Sequence, residues 1–511
     1  MPRHTPNPQP IPAKPIPLSL YPEALIVPPS SLQEDRTPKT HASVRWNRSA
    51  PAALFLAIAL GLALTAVLRA QDFSHPGAQP DPLAAPIQQA NDALAAGDFP
   101  SALKILANLN TQTPNNPQVL YDLGLTLEAL AGTTPANPQP APNPALTPES
   151  CYRQAISADP TFPAPHVALG LLLARTGRPA AARTELIAAT TLPDAAPALK
   201  ARAFRALARL DLTANDRQSA SPNPTAASNE LLNAIRLTSE LPEDVLLSAE
   251  IAAASADLPA AESAYRRYLA LPEGTADPQA TAALAHILLA EHHPAEAEAL
   301  LTPALAGSPG NPAFTAQLAE AWLDSGDPAK TAQAIPLVES LHTANPTSPS
   351  ITRLLARLYL ETGHPDQADP LYASLIAAQP GHPDPTLLDD RAEVLLRLHR
   401  PAEAEKLLKQ AVADPAAFPT PAALGDAATH LAFAAAEIDD YRSTLQALSL
   451  RATVQQPSPS SLFLEATAND VLHQSTRAVD LYKKFLALAG GNFPDQESQA
   501  RQRLAVLEHA K

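Results

Sequence analysis

Beyond residue 85 the chain repeats one spacing: a small residue, a second small residue twelve positions later, an apolar residue four further on, a small or apolar residue three after that, and then a proline. Gly170, Ala182, Leu186, Ala189 and Pro193 form one copy, and Ala285, Ala297, Leu301, Ala304 and Pro309 form another. Further copies are Ala90, Ala102, Leu106, Leu109, Pro114 and Ala249, Ala261, Tyr265, Tyr268, Pro272. Ala356, Ala368, Tyr372, Leu375, Pro380 and Ala392, Ala404, Leu408, Ala411, Pro415 continue the series, and Ala466, Ala478, Tyr482, Phe485 ends it at Gly490. Steps of three and four place the apolar residues of each stretch on one helical face, and two small residues let two helices approach closely where they cross. The unit is therefore a pair of antiparallel helices.

Seven residues after the first small residue come Gly177-Arg178-Pro179, Gly363-His364-Pro365, His292-His293-Pro294 and His399-Arg400-Pro401. Glycine suits a left-handed helix end and proline the first turn of the next helix. Composition agrees: the chain holds 57 Pro but only 16 Gly, 11 Phe and 2 Trp, so it is rich in helix punctuation and poor in strand formers. An all-α fold follows.

The first small residue advances from Ala90 to Gly124, from Ala249 to Ala285 to Ala319, and from Ala356 to Ala392, a period near 34. With Tyr121-Asp122-Leu123-Gly124 and His166-Val167-Ala168-Leu169-Gly170 as first-helix signatures, and Trp322 at a large packing position, the series resembles the tetratricopeptide repeat. That resemblance covers residues 85–490 and implies a right-handed α-solenoid of about ten helix–turn–helix repeats. It implies loops at the Pro/Asn/Thr-rich insertions 131–148 and 215–228, a loosely spaced repeat around Pro419 to Ala452, and a capping helix within 491–511. In the cap, Leu504 and Leu507 should face inward and Arg501, Arg503 and Glu508 outward.

Residues 1–48, with Pro6-Asn7-Pro8-Gln9-Pro10 and Val27-Pro28-Pro29-Ser30-Ser31, read as a disordered Pro-rich leader. Ser49 to Leu68 carries no charge and sits between Arg48 and Arg69. As a helix it would be about 30 Å long, the thickness of a hydrocarbon core. Arg36, Lys39, Arg45 and Arg48 precede it and Asp72 and Asp81 follow, so the positive-inside rule leaves the N-terminus cytoplasmic and exports the rest. Segment 49–69 reads either as a transmembrane anchor or as a signal peptide cleaved near Ala70, with 70–84 a linker. Translation from Val44 would give an ordinary signal-peptide shape, which would make the leader an artefact of start assignment.

No Gly-rich phosphate loop, nucleophile elbow or His-Glu-x-x-His helix is present, and the single cysteine, Cys151, excludes an intrachain disulfide and any multi-cysteine metal site. His292-His293 occupies a turn position and reads as a polar turn rather than a metal pair, and Asp389, Asp390 and Glu393 read as a solvated face rather than an acid–base group. No catalytic residue, metal or cofactor is expected, and the chain reads as a non-enzyme. The net charge of −15, with basic residues concentrated before Ser49, disfavours nucleic acid as a partner.

In the family resembled here, the first helix of each repeat lines a concave groove, which implies Glu320, Arg353, Arg357, Asp389 and Glu393 as groove residues. Arg353 and Arg357 lie four apart on one face and could fork onto a carboxylate, or pair with Glu320, Asp389 or Glu393. The family's lysine/asparagine clamp for chaperone tails is not reproduced at Val167, Leu171, Ala282 and His286. The expected function is a scaffold that holds a peptide or protein partner outside the cytoplasm. The alternative is a non-catalytic accessory subunit of an envelope enzyme or export complex, for example one handling cell-wall polymer.

Overall fold

The computed structural model describes residues 83–133, 146–213 and 222–509. They form 23 α-helices and one short 3₁₀ turn, Pro415–Ala417, and among the described residues there is no strand. Two compact units contain them, 83–287 and 288–509. The leader, the apolar segment 49–69 and most of the linker lie outside the described residues, among which no helix is long and apolar enough to cross a membrane.

The first unit pairs α1 (Ala84–Ala95) with α2 (Phe99–Gln112), α3 (Pro117–Thr133) with α4 (Pro148–Ala158), and α5 (Pro163–Arg175) with α6 (Pro179–Thr191). It continues with α7 (Pro197–Leu212) and α8 (Pro224–Leu237), then α9 (Pro242–Ala254) and α10 (Leu258–Leu269). The boundary between units falls inside α11 (Pro278–Ala290). The second unit holds α12 (Pro294–Gly307), the pair α13 (Pro312–Asp324) and α14 (Pro328–Ala344), and the pair α15 (Pro349–Glu361) and α16 (Pro365–Ala377). There follow α17 (Pro385–Arg397) with α18 (Pro401–Ala411), α19 (Pro421–Glu437) with α20 (Tyr441–Arg451), α21 (Pro459–Val471) with α22 (Ser475–Ala489), and the last helix α23 (Pro494–His509).

Small residues sit at the crossings. Ala90, Ala102, Ala249, Ala261, Ala356, Ala368, Ala392 and Ala404 are all fully buried, and Tyr372, four residues after Ala368, is 1% exposed. Gly170 must lack a side chain at its crossing, because a Cβ there would stand 2.6 Å from Leu186 Cγ. Between the two helices of a pair, the residue seven after the first small one takes positive φ: Gly97, Gly177, Ala256, His292, Gly326, Gly363, His399, Asp439 and His473. The turn geometry is thus common to all nine, and only some of them carry the glycine that adopts it without strain.

Helix starts are written locally. Most begin with proline, whose missing N–H costs nothing at a first turn, and a preceding acceptor caps the next donors. Asp327 Oδ1 accepts from Ala329 N at 2.9 Å, and Asp257 Oδ1 accepts from Ala260 N at 3.2 Å. Three prolines depart from the expected punctuation and lie inside second helices, Pro303, Pro336 and Pro370. Each is on the exposed side, where water can take the carbonyl that loses its partner.

The two insertions are shorter than their composition suggests. Helix α3 continues to Thr133 and α4 starts at Pro148, leaving 134–145 outside the described residues. Asn223 caps α8 by accepting from Ala226 N at 3.1 Å, so 224–228 is helix rather than loop. The loosely spaced stretch is an ordinary pair crossing at Ala432 and Thr444, both fully buried. Thr444 fills a small position because its hydroxyl bonds the Asp440 carbonyl of its own helix at 3.0 Å. In α23 Leu507 is buried and Leu504 partly so, with Arg501, Arg503 and Glu508 exposed.

Candidate functional site

Within the 288–509 unit the first helices α13, α15, α17 and α19 carry a continuous row of charge. Arg353 of α15 donates from Nε to Asp390 Oδ2 at 2.9 Å and from Nη2 to Thr386 Oγ1 at 3.0 Å, both on α17. Arg357, one turn further along α15, turns the other way and lies 3.7 Å from Asp324 of α13. Arg397 of α17 pairs with Glu393 at 2.6 Å, donates to the Leu360 carbonyl at 2.9 Å and lies 3.6 Å from Glu361. Asp389 pairs with His430 Nδ1 of α19 at 2.7 Å.

Five groove residues were expected, and all five stand on first helices of this unit. The two arginines do not use the acids expected for them, Glu320, Asp389 and Glu393. Asp390 and Asp324 take their place. The reason is rotational: each helical residue turns the side chain by about 100°, so Asp390 faces back to α15 while Asp389 faces on to α19. Glu320 is half-buried on α13, one turn from Asp324.

Three groups of these pairs are raised from their ordinary values, the carboxyls by burial and the imidazole by its acidic neighbours. Burial raises the Asp390 carboxyl to about 6 although Arg353 beside it pulls the other way. Burial also raises Asp324, against the pull of Arg357 and His292. Burial pushes His430 down, but the charge of Asp389 and its hydrogen bond, with Glu393 and Asp426, outweigh it and hold the imidazole up at about 9. His430 is therefore a cation at neutral pH, and the face presents four cationic groups, Arg353, Arg357, Arg397 and His430, against a larger set of carboxylates.

The other unit repeats the first element of this arrangement. Arg205 donates from Nε to Asp244 Oδ1 at 2.6 Å and from Nη2 to Asp244 Oδ2 at 2.7 Å and Thr238 Oγ1 at 3.1 Å. Arg209, four residues on, reaches Glu243 at 2.9 Å. Arg205-Ala206-Leu207-Ala208-Arg209 matches Arg353-Leu354-Leu355-Ala356-Arg357 in register, each with a fully buried alanine as its fourth residue, Ala208 and Ala356. Sequence reading missed this because the insertion after Ala208 hides the twelve-residue step. His430 was missed because its repeat aligns only once Ala432 is taken as its first small residue.

His292 takes the left-handed turn position and His293 precedes α12, so the pair forms a turn. Among the described residues no group of three His, Cys, Asp or Glu side chains could hold a metal ion. Cys151 is buried and its thiol is pushed up to about 11 by that burial.

Paired helices crossing at small residues, stacked pair upon pair and joined through their first helices, define a helical-repeat protein. A tetratricopeptide repeat family model matches residues 288–330 and 329–385, which span α12 to α16. Over those residues the chain carries tetratricopeptide repeats, a fold that suggests a protein–protein interaction scaffold. Among solved structures, a tetratricopeptide repeat protein from Parabacteroides merdae is 14% identical, with a TM-score of 0.36, over 52% of this chain and 98% of its own. Pseudomonas aeruginosa PilF is 18% identical, with a TM-score of 0.36, over 44% and 96%. The Cut9–Hcn1 hetero-tetramer of the APC/C gives 12% identity and a TM-score of 0.39 over 81% and 82%. Comparison with curated proteins finds no match.

Proposed function

We propose that this chain is a non-catalytic scaffold that holds a peptide or protein partner on the first-helix face of the 288–509 unit. One observation supports the reading above others: a row of half-exposed charges on α13, α15, α17 and α19 already held in place by pairing with one another. Side chains ordered before binding lose little entropy on binding, which favours recognition. Because Arg353 is engaged by Asp390, Arg357 is the cation better placed for a partner's carboxylate. The excess of acids favours a partner with a positive surface and disfavours nucleic acid.

We place the repeats on the extracytoplasmic side of a membrane, reached through the apolar segment Ser49 to Leu68 with its preceding arginines. That segment serves as a retained anchor or, in the second topological reading, as a signal cleaved near Ala70.

A pull-down from envelope fractions identifies the partner, and titration of that partner against the wild type and an Arg357→Ala, Glu393→Gln double variant at low and high salt tests the face. The reading expects at least about tenfold weaker binding by the variant and stronger salt dependence of the wild type. Equal affinities would remove this face from the binding site. A periplasm-active reporter fused after Lys511 should be active, and activity of a cytoplasmic reporter alone would overturn the topology.

A further inference from the structure

Helix α15 has a second face with its own cleft. Arg353 and Arg357 point to one side, and Leu355 and Tyr359, each two residues further on, stand about 200° round the helix. There they floor a trough whose walls are the second helices α14 and α16, enclosing about 610 Å³. Leu371 and Pro370 of α16 extend the apolar floor, and a carboxylate stands on each wall, Glu339 on α14 and Asp366 on α16.

We propose that this trough binds a lysine or arginine side chain of a protein partner, separately from the first-helix face. The shape matches the chemistry of such a side chain, an aliphatic stem ending in a cation. The stem would lie on Leu355, Leu371 and Pro370, and the head between Glu339 and Asp366. Tyr359 orients the acceptor side by donating its hydroxyl to Glu339 Oε1 at 2.5 Å, which leaves the phenol oxygen's lone pairs for an incoming N–H. His342, also on the wall, turns towards the Thr352 hydroxyl at 3.3 Å. The two carboxylates are exposed, so each contributes modestly, and the apolar floor supplies the discrimination against small cations.

The test titrates the full chain with Nα-acetyl-lysine N-methylamide and with its norleucine isostere, following leucine methyl and tyrosine ring NMR signals. Resonances of Leu355, Leu371 and Tyr359 are assigned by single conservative replacement. The lysine probe should shift them saturably in the millimolar range, the norleucine probe should not, and Glu339→Gln with Asp366→Asn should weaken binding about fivefold or more. A second double variant, Glu403→Gln with Glu405→Gln, makes the same charge change on α18 and should leave the titration unchanged. Absence of saturable shifts, equal shifts with norleucine, or equal weakening by the α18 variant would each overturn the proposal. These signals lie on the opposite side of α15 from Arg357, so the outcome is independent of whether the first-helix face binds a partner.

Discussion

Arg353 and Asp390 join the first helices of two successive repeats through a 2.9 Å hydrogen bond, and Arg205, three residues before its buried alanine as Arg353 is, joins two others through Asp244. The two pairs differ in burial. Arg205 and Asp244 are 6% and 0% exposed, whereas Arg353 and Asp390 are 35% and 26% exposed. Removing the arginine of a buried pair strands a desolvated carboxylate, at a cost of about 3–5 kcal/mol. Arg205→Ala should therefore destabilise by that order, Arg353→Ala by about 1–2 kcal/mol, and Arg357→Ala by less than about 0.5 kcal/mol. Urea unfolding followed by helical circular dichroism ranks the three, and equal losses would count against burial as the cause.

The pairs also make stability depend on pH, with the same sign in two separate windows. His430 titrates at about 9 in the fold against 6.5 in the unfolded chain, so its contribution is complete below about pH 6.5 and is lost as pH rises through 9. The stability gap between wild type and His430→Gln should shrink by roughly 1–3 kcal/mol between about pH 6 and pH 10. Asp390 is raised to about 6 from 3.8, so its protonated form is favoured by folding below about pH 4 and that contribution disappears as pH rises through 6. An Asp390→Asn variant should show a flatter stability curve over that lower window. Unfolding midpoints across both windows decide each sign.

Two glycines of α3 should respond oppositely to alanine. A Cβ on Gly124 would lie 2.5 Å from Tyr152 Cε1, whose side chain is fully buried, while a Cβ on Gly132 meets nothing within 4 Å. Gly124→Ala should lose about 1–3 kcal/mol by overpacking, outweighing the better helix propensity of alanine. Gly132→Ala should gain up to about 1 kcal/mol. Thermal melts of both variants test the pair, and a stabilised Gly124→Ala protein would show that α3 and α4 cross elsewhere.

Ala256 and His473 occupy the left-handed turn with φ of 58° and 59°. Glycine adopts that region without strain, so Ala256→Gly and His473→Gly should each stabilise by about 0.5–1 kcal/mol despite the added freedom of the unfolded chain. A lower melting temperature in both would contradict the turn geometry.

Helix pairs, their turns and their crossing residues were legible in the linear order because each is decided within about 24 residues. The spacing from Ala356 to Ala368 to Tyr372 encodes the helix, its turn and the face it buries, and Tyr372 is indeed closed over by its neighbours. Where one step was filled by an unexpected type, as at Thr444, or stretched by an insertion, as after Ala208, the pattern disappeared from view although the packing did not change. Which charges meet was not legible. Asp389 and Asp390 are adjacent in sequence and equal in chemistry, yet one serves His430 and the other Arg353. That choice depends on a 100° difference in direction and on which helix stands at each side. The sequence by itself determined the local unit, and only the stacking of helices from separate repeats decided which charges pair and which cleft opens behind α15.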